Sequence, residues 1–362
     1  MTTIGSTTSF FTSFVRMLIK EGHSIDFATN EGCGETPVPQ YYKDWGCKVY
    51  DLSCSRSPIK YGNIKAIKEL KKIIKNNSYD IIHCHTPIAA AITRIACKRY
   101  RKKSLKVVYT AHGFHFYNGA PLKNWILYYP VEWLCSFWTD VLITINKEDY
   151  IRANHKLHAK KIVYVPGVGI DIEKFALKGN GNLKIRNELN IPQDRKLLLS
   201  VGELNINKNH IAVIKAIKGI ENITYVIVGK GDLENEIKKL AVELGVDIRL
   251  TGFRSDVVDF YDAADIYILP SIREGLNVSL MEAMASSLPC LCGRIRGNVD
   301  LVDEDGGYLF EPNNSDSIRE AVMKAIDNTD GMGQYNLKKI KSFELNSVNR
   351  IMKELYLTAI GE

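Results

Sequence analysis

Short runs of consecutive apolar residues alternate with helix-like segments along the whole chain, and this alternation limits the possible folds more than any other feature. Runs such as Val107-Val108-Tyr109, Val141-Leu142-Ile143 and Leu197-Leu198-Leu199 are apolar at every position, which is typical of parallel strands covered by helices on both faces. The pattern predicts doubly wound parallel α/β sheets. The predicted strands are 25–29, 48–52, 80–84, 106–111, 140–145, 161–165, 196–201, 224–228, 247–251, 266–269, 289–292 and 307–310.

The length of 362 residues predicts two domains, since a domain takes roughly 100–200 residues. The clearest break is Pro166-Gly167-Val168-Gly169. We therefore predict an N-terminal domain over 1–167, a second domain over 168–343 and a helix within 344–362. Apolar residues make up 45% of the chain and charged residues 25%, which excludes a disordered or collagen-like chain.

Targeting and redox signals favour a cytoplasmic protein. Arg16 and Lys20 interrupt the apolar stretch near the N-terminus, so we expect no cleavable signal peptide. No apolar run approaches the roughly 18–20 residues that span a bilayer. The eight cysteines form no Cys-x-x-Cys pair, so they are expected to be reduced thiols and not zinc ligands.

Two features of the N-terminal half point to an anionic surface. Residues 60–106 contain 13 lysines and arginines but only two acidic residues. These basic side chains either form the solvated faces of helices or attract an anionic partner. Residues 118–140 contain three of the four tryptophans, and such aromatics are enriched at lipid interfaces. The alternative is a helix pair packed on the sheet and broken at Pro130. We expect peripheral binding to anionic membranes at the inner face of the plasma membrane, and no nucleic-acid partner.

The most informative segment for chemistry is 268–289. A strand ends at Pro270, a loop carries Glu274 and Gly275, and a helix begins near Asn277 or Ser279. Free N–H groups at such a helix start suit a phosphate. Glu274 and Glu282 could accept hydrogen bonds from hydroxyls of one elongated ligand. The alternative for Glu282 is a capping box with Ser279.

These residues resemble the family 4 retaining glycosyltransferases of the GT-B fold, whose signature is Glu-x(7)-Glu. The resemblance covers nearly the whole chain, and the run 109–117 is similar to the subgroup of bacterial capsular and exopolysaccharide biosynthesis. The matching segments are 163–171, 252–271 and 274–282.

The resemblance implies two Rossmann-like domains facing across a cleft. It implies transfer of a sugar, most simply from a UDP-sugar, to a polyprenyl-diphosphate-linked saccharide in surface polysaccharide assembly. The implied catalytic residues are Glu274, at the transferred sugar, and His112, beside the donor sugar. The implied substrate-binding residues are Lys208, Gly275, Leu276, Asn277 and Val278 for the diphosphate, Glu282 for the ribose, Arg254 for the base or phosphate, Gly5 and Ser6 in a loop beside the diphosphate, and Glu203, where many relatives carry Arg.

Several alternatives stay open at this point. The first strand looks truncated, since only Thr2-Thr3-Ile4 precedes Gly5. His83 and His85 share one strand face, where packing is favoured over metal binding because no third ligand is evident. Asp303-Glu304-Asp305 is read as a turn, so we expect no metal and no cofactor. The rival functions are a non-catalytic nucleotide-sugar-binding subunit and a UDP-sugar epimerase.

Overall fold

A computed structural model describes residues 1, 11–30, 38–55, 57, 60–102, 104–176, 179 and 181–361. The chain forms two compact units. The first consists of Met1–Gly169 together with Leu345–Glu362, and the second of Ile170–Glu344.

The first unit is built on parallel strands. Strands β1 (Phe27–Thr29) and β2 (Val49–Asp51) pair with each other. Strands β3 (Ile81–His85), β4 (Lys106–Ala111), β5 (Val141–Thr144) and β6 (Lys161–Tyr164) form a parallel sheet in that order. The connecting helices are α1 (Thr12–Lys20), α2 (Gln40–Asp44), α3 (Gly62–Asn76), α4 (Pro87–Cys97), α5 (Leu122–Ser136) and α6 (Lys147–Lys156).

Helix α5 runs through Pro130 without a break, so the alternative of a helix pair divided at this proline is wrong. Proline removes the hydrogen bond to the carbonyl four residues earlier, which here belongs to Ile126, on the exposed side of the helix. The buried side of α5 is fixed to α4 by Glu132, which pairs with the fully buried Arg94 at 2.9 Å.

The second unit contains one six-stranded parallel sheet in the order β12-β11-β10-β7-β8-β9. Its strands are β7 (Lys196–Val201), β8 (Ile223–Val228), β9 (Ile248–Leu250), β10 (Ile266–Leu269), β11 (Cys290–Gly293) and β12 (Gly307–Phe310). Its helices are α7 (Ile172–Phe175), α8 (Gly181–Glu188), α9 (His210–Ala216), α10 (Glu234–Leu244), α11 (Val257–Ala263), α12 (Val278–Ala285), α13 (Asn298–Leu301), α14 (Ser315–Asp327) and α15 (Met332–Ile340).

The strand order of this sheet reverses between β7 and β10. The chain builds outwards from β7 through β8 to β9, and then returns to the other side of β7 to add β10, β11 and β12. Ligands of open parallel sheets bind at such a reversal, outside the carboxyl ends of the strands. The loops after Val201 and Leu269 are therefore the first place to look for a site in this unit.

The last helix, α16 (Leu345–Ile360), belongs to the first unit. Its Val348 and Leu355 pack in the same apolar cluster as Val108 and Ile143 of the sheet. Its Tyr356 hydroxyl hydrogen-bonds His83 Nδ1 at 2.6 Å. These contacts attach the end of the chain to the first unit.

The doubly wound parallel architecture is as predicted. Each predicted strand is present, and four of them have the predicted bounds, namely 106–111, 196–201, 266–269 and 307–310. Within the described part of the chain, none of the helices combines the length and apolar character needed to cross a bilayer.

Candidate functional site

An ion pair occupies the reversal point of the second sheet. Lys208 follows β7, Glu274 follows β10, and Lys208 Nζ lies 2.8 Å from Glu274 Oε1. Both side chains are mostly shielded, with 17% and 14% of their surface exposed. The two residues are 66 positions apart in sequence and meet because their strands are neighbours.

The loops that carry this pair are bonded to each other through Asn207. The Asn207 carbonyl accepts from Ile272 N at 2.8 Å, and its side-chain amide donates to the Arg273 carbonyl at 3.0 Å. The loop after β7 therefore fixes the backbone just before Glu274. Sequence reasoning missed Asn207, whose only signal was its position beside Lys208.

The loop after β11 supports Glu274 from another side. Arg296 is buried, and its Nε donates to the Glu274 carbonyl at 3.1 Å. Gly297 has a φ of +79°, and a Cβ there would lie 2.2 Å from the Gly275 carbonyl oxygen. Only glycine allows so close an approach in this conformation. Arg296 and Gly297 were also missed, although both come shortly after a predicted strand.

Helix α12 begins beside Glu274, and Asn277 is its N-cap. The Asn277 side chain accepts from Leu280 N at 3.0 Å. The capping box of Ser279 and Glu282 is therefore wrong, because the chain enters the helix two residues earlier than that pairing requires. No acceptor among the described residues takes the backbone N–H groups of Leu276, Asn277 and Val278.

Glu282 receives a hydrogen bond from a tyrosine instead. Tyr261 Oη lies 2.8 Å from Glu282 Oε2 and 3.1 Å from the Ser279 carbonyl. Burial raises the pKa of Glu282, and the tyrosine hydroxyl opposes this shift by stabilising the carboxylate. Tyr261 is fully buried, so it holds the carboxylate in one position.

The remaining predicted residues of this site do not meet the Lys208–Glu274 pair through any described contact. Glu203 is exposed and accepts from the Asn205 side chain at 2.8 Å. Arg254 pairs with Asp256 and with Glu188, so the alternative of a surface ion pair with Asp256 is present. Gly5 and Ser6 lie outside the described residues.

In the first unit, His112 follows the carboxyl end of β4 and is half-buried. Its Nε2 lies 3.1 Å from His85 Nδ1. Burial lowers the pKa of His112 to about 4, because a charged imidazole loses hydration there. His112 is therefore neutral at physiological pH. The next residue, Gly113, has a φ of +131°.

Metal ligands are not grouped in the described part of the chain, where no three His, Cys, Asp or Glu side chains form a set that could hold an ion. Asp303 of the Asp-Glu-Asp run leads into a turn and accepts hydrogen bonds from Tyr335 and Lys339. The expectation that the protein needs no metal or cofactor stays a prediction.

Two family models match the chain. The model described as glycosyl transferases group 1 matches residues 182–340, and the model described as glycosyl transferase 4-like matches residues 4–146. The first match contains Lys208, Glu274 and Glu282, and the second contains His85 and His112.

Whole-chain relatives agree with these matches. The Bacillus subtilis (strain 168) protein EpsD, named as a glycosyltransferase, is 35% identical over 87% of this chain and 83% of its own length. The Escherichia coli UDP-Gal:alpha-D-GlcNAc-diphosphoundecaprenol alpha-1,3-galactosyltransferase is 30% identical over 92% of this chain and 90% of its own length.

The fold is shared with solved structures. HepE of Anabaena in complex with UDP superposes with a TM-score of 0.79 over 99% of both chains at 15% identity, a likeness that concerns the fold alone. Together with the family matches and the two relatives, it shows that this chain belongs to the group 1, family 4-like glycosyltransferases and has the GT-B fold.

Proposed function

We propose that the protein is a retaining glycosyltransferase that moves a sugar from a UDP-sugar to a lipid-linked saccharide during surface polysaccharide assembly. The observation that carries this proposal is the Lys208–Glu274 ion pair at the reversal point of a parallel sheet. It lies beside the start of α12, where no described acceptor takes the N–H groups of Leu276, Asn277 and Val278. In this proposal the second unit binds the nucleotide-sugar and the first unit binds the acceptor.

The cationic part of the site suits a diphosphate. Lys208 supplies a compact ammonium, and the N–H groups of Leu276, Asn277 and Val278 supply fixed donors at a helix start. The departing nucleoside diphosphate gains negative charge as the sugar leaves, and preorganised donors stabilise that charge. Hydrogen bonds from Asn207 and Arg296 to the carbonyls of Arg273 and Glu274 hold the loop that leads to these donors.

The two carboxylates suit the hydroxyl groups of the same ligand. Glu274 is paired with Lys208 in the structure. We expect Lys208 to turn to the diphosphate when the donor binds, and Glu274 then to accept hydrogen bonds from the transferred sugar. Glu282, held by Tyr261, is the acceptor for the ribose hydroxyls.

The proposed transfer is a front-face displacement. The acceptor oxygen forms its bond to the anomeric carbon on the side from which the phosphate oxygen leaves, and that phosphate oxygen takes the acceptor's proton. The configuration of the anomeric carbon is retained, and no protein nucleophile is needed. In this proposal neutral His112 gives the transferred sugar a hydrogen bond and no charge.

The relatives support the substrate classes. The Escherichia coli relative is named for UDP-Gal as donor and for an acceptor on diphosphoundecaprenol. HepE, which shares the fold, has been solved with UDP-glucose. A Staphylococcus aureus relative, 23% identical over 83% of this chain, is named for capsular polysaccharide biosynthesis. We extend these classes to the present chain and leave the individual sugar open.

A lipid-linked acceptor requires access to a membrane, and the outer side of α5 suits this role. Its exposed surface is apolar, and its single acidic residue, Glu132, is turned inwards to Arg94. The one exposed charge on the helix is Lys123, which favours an anionic surface. We propose that this side lies on the inner face of the plasma membrane. Its exposed apolar residues are Leu122, Ile126, Leu127, Val131, Trp133 and Leu134.

The experiment is a transfer assay with a panel of UDP-sugars and polyprenyl-diphosphate-linked acceptors. We expect product with the anomeric configuration of the donor, a loss of at least about a hundredfold in kcat/KM for Lys208→Ala, and a comparable loss for Glu274→Ala. The matched control is Lys238→Ala, which removes an exposed ion pair of similar length in the same unit and should leave activity unchanged. Unchanged activity in both site variants would refute the site, and an inverted product would refute the mechanism.

A further inference from the structure

Three histidines lie together at the carboxyl ends of β3 and β4. His83 and His85 are two residues apart on β3 and therefore share one face of the strand. His85 is in register with Thr110 of β4, and Thr110 precedes His112 by two residues. The ring centroids of His83 and His85 are 4.1 Å apart, and those of His85 and His112 are 5.4 Å apart. For the two histidines of β3, the sequence favoured packing and cleft lining over metal binding.

The hydrogen bonds separate the roles of these rings. His83 uses both of its nitrogens elsewhere, Nδ1 with the Tyr356 hydroxyl at 2.6 Å and Nε2 with Thr110 Oγ1 at 2.7 Å. His85 directs Nδ1 at His112 Nε2, at 3.1 Å. His85 is therefore the side chain that contacts His112, whereas His83 joins the sheet to α16.

The other nitrogen of His85 indicates which ring donates. His85 is 1% exposed, and its Nε2 has no hydrogen-bond partner among the described residues. Burial lowers the pKa of both His85 and His112, so both rings are neutral and each carries one proton. If His112 donated from Nε2, His85 would carry its proton on Nε2, as a buried N–H without an acceptor.

The opposite arrangement avoids this cost. If His85 donates from Nδ1, its Nε2 is an unprotonated acceptor, and a buried acceptor is left without a partner more readily than a buried N–H donor. His112 Nε2 then accepts, and the proton of His112 must be on Nδ1.

We propose that His85 is a positioning residue that donates its Nδ1–H to His112 Nε2 and so holds His112 as the tautomer protonated on Nδ1. The Nδ1–H of His112 is then a fixed donor for an oxygen of the transferred sugar. This last step rests on the proposed function, whereas the tautomer of His112 is a property of the ligand-free protein.

The first test therefore needs no activity. Full-length protein labelled with ¹⁵N-histidine is observed without ligand in long-range ¹H–¹⁵N spectra, with His112 assigned from the spectrum of His112→Asn. We expect the protonated nitrogen of His112 to be Nδ1 in the wild type, and a mixture of tautomers in His85→Leu. A wild-type His112 protonated on Nε2, or a tautomer unchanged in His85→Leu, overturns the proposal.

The second test uses two polar substitutions that differ in reach. The amide of asparagine can take the place of imidazole Nδ1, whereas the amide of glutamine extends towards the place of Nε2. We expect His85→Asn to keep kcat within about twofold of the wild type, and His85→Gln and His85→Leu to lower kcat about fivefold to tenfold, the effect of one lost hydrogen bond, with KM for the donor unchanged.

The outcomes separate the two proposals. If His85→Leu does not fold, the asparagine and glutamine variants decide, because both keep a polar side chain. Equal loss in these two variants, or no loss in either, overturns the positioning role. A wild type with the expected tautomer but no transferase activity refutes the proposed function and leaves the role of His85 in orienting His112 intact.

Discussion

Substitutions of Lys208 and of Glu274 are predicted to change the affinity for UDP in opposite directions. The Glu274 carboxylate lies 2.8 Å from the Lys208 ammonium, and a diphosphate would compete with it for the same cation. Neutralising the carboxylate should therefore make UDP bind more tightly. Removing the lysine should make UDP bind less tightly.

The magnitude follows from the geometry. Two charges 2.8 Å apart attract by about 6 kcal/mol at an effective dielectric constant of about 20. Desolvation and side-chain ordering cancel most of this, which leaves a net value of about 1–2 kcal/mol for a mostly shielded pair. Breaking the pair costs the incoming diphosphate this amount, so Glu274→Gln should bind UDP about fivefold to thirtyfold more tightly.

The assay is calorimetric titration with UDP and not with a UDP-sugar, because UDP carries no sugar that could lose its contact with Glu274. Lys208→Met should bind UDP at least about tenfold more weakly. Both variants should unfold at lower temperature than the wild type, because each leaves a shielded partner unpaired. Lys238→Met, from the exposed pair with Glu234, should change neither affinity nor stability.

Two results would refute this reasoning. Weaker UDP binding by Glu274→Gln would mean that the carboxylate does not compete with the diphosphate. Unaltered binding by Lys208→Met would mean that the ammonium does not contact the diphosphate. The stability measurement separates either result from misfolding, since a variant that still unfolds cooperatively, even at a lower temperature, has kept its structure.

Three further predictions concern other parts of the chain. Tyr261→Phe removes the 2.8 Å hydrogen bond to Glu282, so in the same titration UDP affinity should fall about fivefold to tenfold and the affinity of 2′,3′-dideoxy-UDP should fall less. An equal fall for both ligands would contradict the contact of Glu282 with the ribose. Leu127→Asp in α5 should abolish flotation with anionic liposomes, whereas Val242→Asp, at an even more exposed apolar site in the second unit, should not. Wild-type protein that fails to float would exclude the membrane surface. Gly297→Ala should lower the free energy of unfolding by several kcal/mol and abolish UDP binding, because its Cβ would lie 2.2 Å from the Gly275 oxygen. The control Gly245→Ala, also at positive φ but with no atom within 4 Å of its Cβ, should lower the free energy of unfolding by only about 1 kcal/mol in a denaturant titration.

Much of the architecture follows from the sequence because it depends on local patterns. Apolar runs such as Leu197-Leu198-Leu199 become buried strands wherever helices cover both faces, and the strand bounds followed the apolar runs closely. Glu274 was identifiable as a candidate because it follows such a strand, whereas Lys208 was identified through the family resemblance. The start of α12 was predictable only within about two residues, so Asn277 replaced Ser279 as its cap.

Residues that act through distant partners could not be predicted in the same way. Tyr261 can hydrogen-bond Glu282, and Asn207 can hydrogen-bond the Arg273 carbonyl, only when the sheet is assembled. Arg254 could equally have faced a nucleotide, but in the fold Glu188 lies close enough to pair with it. A proline inside a helical segment usually ends the helix, yet α5 continues through Pro130, because tertiary packing outweighs local propensity.

The sequence by itself determined which segments are strands and which strand ends carry ionisable side chains. A strand buried on both faces requires apolar residues at consecutive positions, and such a run is visible in the sequence. Only the tertiary structure decided which of those ends are neighbours. The order β12-β11-β10-β7-β8-β9 brings Lys208 to Glu274, and the pairing of β3 with β4 brings His85 to His112. Strand order depends on contacts between residues far apart in sequence, and no local pattern encodes it.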